Sequence, residues 1–220
     1  MIIDKDNIDI EHFHNSKIIE SQKSPGVKRR LHFEYACKQA CIAGAIMEFG
    51  VFKGKTLLRL TEQFPTEKIY AFDSFEGLPE DWFMTREELE SNLSKHPKGH
   101  FAGFQVQYDL PDTVNYVKGF FKDSIPKWLK SNNLTQIKFL HIDGDLYSSA
   151  VDVLWNLNPY IVPGTIIVFD ELYPWGNYED YELWQEGEWK ALVEWVKRFD
   201  RRFEIISRNT HQQAAIKIVS

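Results

Sequence analysis

Apolar residues recur along the chain in short blocks separated by helical or turn-forming stretches. Residues 45–49 form a compact apolar run closed by Gly50, the pattern of a buried strand entering a turn. Residues 56–61 continue as a helix, and residues 68–73 return to a strand pattern that ends on Asp73. Strand, glycine loop, helix and strand make the first βαβ unit of a wound sheet. The same reading predicts strands over residues 114–118, 137–142 and 165–169, and helices over 27–42, 126–131, 148–156 and 189–199. Two late strands, 203–207 and 214–219, follow as a hairpin. The expected fold class is α/β. It is a Rossmann-like, doubly wound and mostly parallel seven-stranded sheet, with helices on both faces and a C-terminal antiparallel strand pair.

One domain spanning residues 1–220 is expected, with residues 1–25 as a polar N-terminal arm. Residues 80–112 and 173–189 break the rhythm. Segments this long inside a compact domain are characteristically lids or binding loops.

Net charge alters this picture little. At -6, the chain lacks the basic balance of a general nucleic-acid binder. The clusters Lys28-Arg29-Arg30 and Arg198, Arg201, Arg202 are expected to be solvated helix faces. No run of about 18 apolar residues is present, so no membrane span is expected. The N-terminal residues contain no apolar core of a signal peptide. Cys37 and Cys41, four apart on an expected helix, are assigned as two buried small thiols, which fits a reducing, cytoplasmic location. Oligomeric state is open, and a homodimer is admissible.

Candidate chemistry gathers at the predicted carboxyl ends of the strands, where open α/β sheets bind ligands. Gly50 and Gly54 permit a sharp turn and a close backbone approach. A carboxylate in the position of Asp73 accepts hydrogen bonds from ribose hydroxyls. Gly50-Val-Phe-Lys-Gly-Lys-Thr56 resembles a phosphate-binding loop, but three residues separate its glycines where that loop needs four. The dinucleotide fingerprint G-x-G-x-x-G is also absent, which weakens the alternative of an NAD-dependent oxidoreductase. A non-catalytic cofactor-binding module is the other alternative. Asp143 and Asp145 follow the fourth strand, and Asp170 and Glu171 the fifth. Carboxylates converging there need a counter-charge, which a divalent cation with oxygen ligands supplies. His141 shares a strand face with Asp143. It is a candidate base, a partner of the acids or a satisfied core histidine.

Four segments together resemble the macrocin O-methyltransferase family, class I S-adenosylmethionine-dependent methyltransferases that modify sugar hydroxyls of natural products. They are Glu48-Phe-Gly-Val-Phe-Lys-Gly54, Phe72-Asp-Ser-Phe-Glu-Gly-Leu-Pro79, Gly119-Phe-Phe-Lys-Asp-Ser-Ile-Pro126 and His141-Ile-Asp-Gly-Asp-Leu-Tyr-Ser-Ser149. The resemblance implies that Glu48, Gly50, Val51 and Gly54 border the methionine part of S-adenosylmethionine. It implies that Asp73, with Ser74 and Phe75, takes the ribose. Gly119, Phe121, Lys122 and Asp123 would flank the adenine. Asp143, Asp170 and Glu171 would hold Mg²⁺ or another divalent cation, with Asp143 as catalytic base and His141 as a further catalytic candidate. The acceptor would be a small molecule bearing a sugar hydroxyl, and segments 80–112 and 173–189 would cap it. The family commonly carries Asp or Asn where this chain has the longer Glu171.

Overall fold

Blocks rich in Ile, Val, Phe and Ala bury well on both sides, as a parallel sheet between helical layers requires. The computed structural model describes residues 1–19, 25–176 and 181–220, with side chains from residue 29 in the second stretch. Its elements in chain order are β1 (Ile2–Ile3), α1 (Ile10–His14), α2 (Pro25–Cys37), β2 (Ala45–Phe49), α3 (Lys55–Gln63), β3 (Ile69–Asp73), α4 (Arg86–Ser91), β4 (Val114–Lys118) and α5 (Phe121–Ser131). They continue with β5 (Ile137–Ile142), α6 (Tyr147–Leu157), β6 (Ile161–Phe169), α7 (Glu188–Phe199), β7 (Phe203–Arg208) and β8 (Ala214–Ile218).

The sheet has eight strands in the order β1-β7-β8-β6-β5-β2-β3-β4. Strands β2 to β6 run parallel, while β8 is antiparallel to both β6 and β7. The eighth strand corrects the expectation of seven. Ile2 and Ile3 pair antiparallel with Glu204 and Phe203. Two apolar residues in a polar arm are too few to show a period, yet Ile3 is buried by that pairing.

Alternation along the strands sorts the core into two layers. Met47, Phe49, Leu140, Ile142, Ile167 and Phe169 face α5, α6 and α7, where Trp128, Val153 and Trp195 cover them. Ile46, Ala71, Phe139, Ile166 and Val168 face α2 and α3, against Phe33, Leu57 and Leu60. The chain turns from one side of β2 to the other between β3 and β5. The boundary between β2 and β5 is therefore the topological switch point, where ligands of such sheets lie.

Several local expectations shift. Helix α2 ends at Cys37, so Cys41 lies beyond it and is exposed while Cys37 is buried. Helix α5 opens at Phe121, which puts Pro126 inside the helix instead of at its start. Arg30 does lie on a solvated face, paired with Glu34 at 2.6 Å. Arg29 turns inward, and Lys28 lies outside the described side chains. Arg201 donates to the carbonyls of Asn158 and Ile161, closing the turn before β6. Among the described residues no helix is long and apolar enough to cross a membrane.

Gly50 ties the switch point together. Its φ of 99° is one that L side chains rarely adopt, and a Cβ there would lie 1.8 Å from the backbone oxygen of Asp143. Gly50→Ala is expected to destabilise the fold by about 3 kcal/mol or more, from strain plus forced separation of the strand ends. Urea unfolding of the two proteins measures this, and equal midpoints would contradict it.

Candidate active site

The glycine loop is held from behind by Asp73 at the end of β3. One carboxylate oxygen accepts from the N–H groups of Val51 (2.7 Å) and Phe52 (3.0 Å). The other accepts from Phe75 N–H at 2.7 Å. A carboxylate offers about four acceptor sites, so Asp73 keeps capacity for one further donor. Its grip holds Phe52 (φ 48°) and Phe75 (φ 56°) in the left-handed region. Gly54 (φ 80°) caps α3 without room for a side chain, because Val106 from the 80–112 segment packs on it.

On the face covered by α2, a polar ladder crosses three strand ends. Glu48 and His141 are register partners on β2 and β5, and Asp170 follows β6. His141 Nδ1 lies 3.1 Å from Glu48, and its Nε2 lies 3.4 Å from Asp170. Burial by itself disfavours a charged imidazole, but the hydrogen bonds to Asp170 and Glu48 outweigh it and push the pKa up to about 10. Burial in turn raises the carboxyl of Glu48, against the pull of His141. Burial also opposes ionisation of Asp170, yet Arg29 and His141 hold its carboxyl well below the usual range. Gln213 donates its amide to Asp170 and turns its oxygen toward His32 Nδ1 at 3.3 Å.

Beyond the ladder the acids open onto a cavity of about 520 Å³. Asp143, Asp145 and Glu171 each bring a carboxylate oxygen within 4.8 Å of the others. A second such group joins Asp170 to Asp143 and His141. Burial, then the charge of Asp170, raises the carboxyls of Asp143 and Glu171 above the ordinary range, and pushes Asp145 up to about 7. Arg29 reaches in from α2, with Nη1 at 2.9 Å from Asp170 and Nη2 at 3.0 Å from Glu171. Behind Glu171, Glu188 accepts that residue's N–H at 3.0 Å.

Of the residues singled out in the sequence, Gly50, Val51, Asp73, Ser74, Phe75, Phe121, Lys122, Asp143 and Glu171 line the cavity. Glu48 and His141 do not, since each is 0% exposed and turned into the ladder. Gly54, Gly119, Asp123 and Asp170 also stand behind the lining. The geometry thus places His141 between two acids and away from the cavity lining. Sequence reasoning did not bring Arg29 to the site, because its neighbours mark a solvated face. It also missed Phe52, Phe101 and Phe104, an aromatic cluster with ring centroids 4.6 and 5.3 Å apart at the cavity rim. Lys55 and Thr56 open α3 and line the wall. The 80–112 segment supplies Phe101 and Phe104 to the lining. The described part of 173–189 supplies nothing to it: Tyr181 packs with Leu78, Trp82 and Leu146. Residues 177–180 of that expected cap lie outside the described residues.

This fold and site define a doubly wound α/β protein with a ligand cavity at its switch point, glycine loop on one side and carboxylates on the other. The chain belongs to the macrocin-O-methyltransferase (TylF) family, whose model matches residues 26–185. It is 29% identical over 164 residues to the 8-demethyl-8-(2,3-dimethoxy-alpha-L-rhamnosyl)-tetracenomycin-C 4'-O-methyltransferase of Streptomyces olivaceus, covering 66% of this chain and 60% of that protein. It is 25% identical over 168 residues to the mycinamicin III 3''-O-methyltransferase of Micromonospora griseorubida, covering 66% of this chain and 63% of that protein. The chain thus spans less than two thirds of the length of these curated relatives. The fold is that of the calicheamicin methyltransferase CalS11 (TM-score 0.67, 22% identity, 89% of this chain and 80% of that one). It is likewise that of the O-methyltransferase NovP (TM-score 0.65, 19% identity, 96% and 88%).

His32, fully buried beside Gln213, gives the network a pH dependence. Burial lowers its pKa from 6.5 to about 4. The folded-state value lies below the unfolded one, so its contribution is complete above pH 6.5 and is lost as pH falls toward 4. Relative to His32→Gln, the wild type is expected to lose roughly 3 kcal/mol across that window. Urea denaturation at several pH values reads this directly, and parallel stability curves would rule it out.

Proposed function

We propose that this protein is an S-adenosylmethionine-dependent O-methyltransferase acting on a hydroxyl of a sugar or sugar-bearing small molecule, with a divalent cation at its acidic centre. One observation carries the reading. In a chain of this family, a single cavity joins the Asp73-held glycine loop to the carboxylates of Asp143, Asp145 and Glu171. Support for a sugar acceptor comes from the tetracenomycin relative named above, whose name gives a substrate that carries a rhamnosyl group.

The residues present suit the cofactor. Phe75 and Phe121 offer apolar rings and Asp73 a spare acceptor site, in a cavity of about 520 Å³. They also suit a hard cation. The donors are carboxylates, and Glu171 Oε2 is buried with no hydrogen-bond partner among the described residues. Asp143 and Glu171, with Asp145 beside them, are the proposed ligands, and Asp170 joins them to the extent that Arg29 and His141 release it. The bound cofactor supplies a methyl group on a positively charged sulfur, and a bound cation would lower the pKa of the acceptor hydroxyl.

The remaining chemistry belongs to the chain. Asp143 stands at the switch point beside the glycine loop, so an acceptor oxygen held there would lie next to that loop. Asp143 is the proposed general base. It would take the proton of the acceptor hydroxyl, while S-adenosylmethionine held by the glycine loop and Asp73 would supply the methyl group. His141 keeps Asp170 and Glu48 in place and transfers no proton to the acceptor. Phe101 and Phe104 stand at the rim, and residues 80–112 are the proposed cap. A cytoplasmic location accords with Cys37 and Cys41, both free thiols.

Asp143→Asn is expected to lower kcat by about 10²- to 10⁴-fold. Its dissociation constant for S-adenosylhomocysteine, measured by calorimetry, should stay within about threefold of the wild type, a change of under about 1 kcal/mol. A fully active variant would remove Asp143 from the mechanism. Failure of the wild type to bind S-adenosylhomocysteine would remove the proposed activity.

A further inference from the structure

Removing charge from solvent requires a partner, and the acidic centre has very few. Among the described residues, the cationic side chains within ion-pair distance of Asp170 and Glu171 are Arg29 and, for Asp170, His141. His141 is already shared with Glu48 and cannot reach Glu171. Arg29 spans both acids with its two terminal nitrogens, at 2.9 and 3.0 Å, and donates to Gln212 at 2.7 Å. A planar fork holds two adjacent carboxylates in a way a point charge does not. Arg29 comes from α2, whereas the acids follow β6, so this contact crosses from one layer to another.

The same carboxylates are the ones a divalent cation needs. Glu171 belongs to the converging trio with Asp143 and Asp145, and its Oε1 is engaged by Arg29. Two cations sharing one carboxylate in a buried setting repel each other and compete for it. We infer that Arg29 is a built-in competitor of the divalent cation: it neutralises Asp170 and Glu171 when no ion is bound and yields Glu171 when one binds. The site is then never left as bare buried acids, and its metal affinity is set by a residue that ligates no metal. This rests on the cation in the proposed function, and it makes Arg29 a positioning residue outside the chemical step.

Mn²⁺ binding to the purified full chain, read by the electron paramagnetic resonance of the free ion, tests this without any turnover. Arg29→Gln is expected to bind Mn²⁺ about tenfold tighter than wild type or more, within the ordinary range of couplings between sites. Arg29→Lys keeps a charge but loses the fork, and is expected to bind roughly threefold tighter. Lys55→Gln removes one positive charge from the cavity wall without touching the acids, and should change affinity by less than about twofold. Unchanged or weaker binding by a folded Arg29→Gln overturns the inference, as does an equal gain in Lys55→Gln. Should Arg29→Gln fail to fold, judged by circular dichroism, Arg29→Lys decides, and unchanged affinity there overturns it. Absence of Mn²⁺ binding in every protein, with S-adenosylhomocysteine still bound, removes both the metal and this inference while leaving the methyltransferase reading intact.

Discussion

A buried histidine held between two acids underlies the site. Glu48, His141 and Asp170 come from three neighbouring strand ends, and Glu48 and His141 are register partners. All three are enclosed under α2, with buried His32 and Gln213 beside them in a layer that is mainly apolar. Breaking such a buried pair by deleting one member typically costs about 3–5 kcal/mol, because the other charge stays behind. The ladder therefore specifies which strand ends lie side by side and at what height. It fixes the seam at which Gly50 meets the carbonyl of Asp143, and that seam is the floor of the cavity.

Everything above the ladder follows from running out of sheet. The last inter-strand bonds run from the N–H groups of Asp143 and Asp170 to the carbonyls of Phe49 (2.8 Å) and Ile142 (3.0 Å), and beyond them the chain passes into loops. Asp143, Asp145 and Glu171 are brought together with no backbone ladder between them and little solvent around them. Their raised carboxyl pKa values are the signature of that crowding. One half of the cavity is set by hydrogen bonds from backbone to Asp73. The other half is set by charge balance, which can be met by a side chain, a proton or an ion.

The sequence makes the first half legible and the second half only partly so. Gly50 and Asp73 announce themselves because both sit at strand ends whose apolar runs are unambiguous. The acids after β5 and β6 are legible for the same reason. His141 invites a catalytic reading because its alternation with Asp143 is visible, while Glu48, its partner from another strand, becomes one only through the register of β2 and β5. Arg29 is hidden more deeply. It lies between Lys28 and Arg30, and Arg30 does make an exposed pair with Glu34 one turn on. A rotation of one residue about the helix separates a solvated charge from one that reaches the active centre, and composition does not record that rotation. Strand β1 escaped because a two-residue strand has no period to detect.

The aromatic rim links the two halves. Phe52 stands in the glycine loop with a left-handed backbone, and Asp73 holds its N–H. Its ring meets Phe101 and Phe104 from the 80–112 segment, and Lys53 Nζ lies over the rings of Phe52 and Phe104 at 4.9 and 4.4 Å. The N–H of Gln107 donates to the carbonyl of Lys53 at 3.0 Å, and Val106 fills the space a side chain at Gly54 would need. The 80–112 segment is thus clipped to the loop that forms the cavity wall, through backbone, apolar and cation–π contacts at once. A residue in a strained conformation persists only where its surroundings over-determine it. Phe52 is over-determined by Asp73 on one side and by the rings of Phe101 and Phe104 on the other. The cavity rim and the glycine loop are therefore tied to each other through Phe52, Val106 and Gln107.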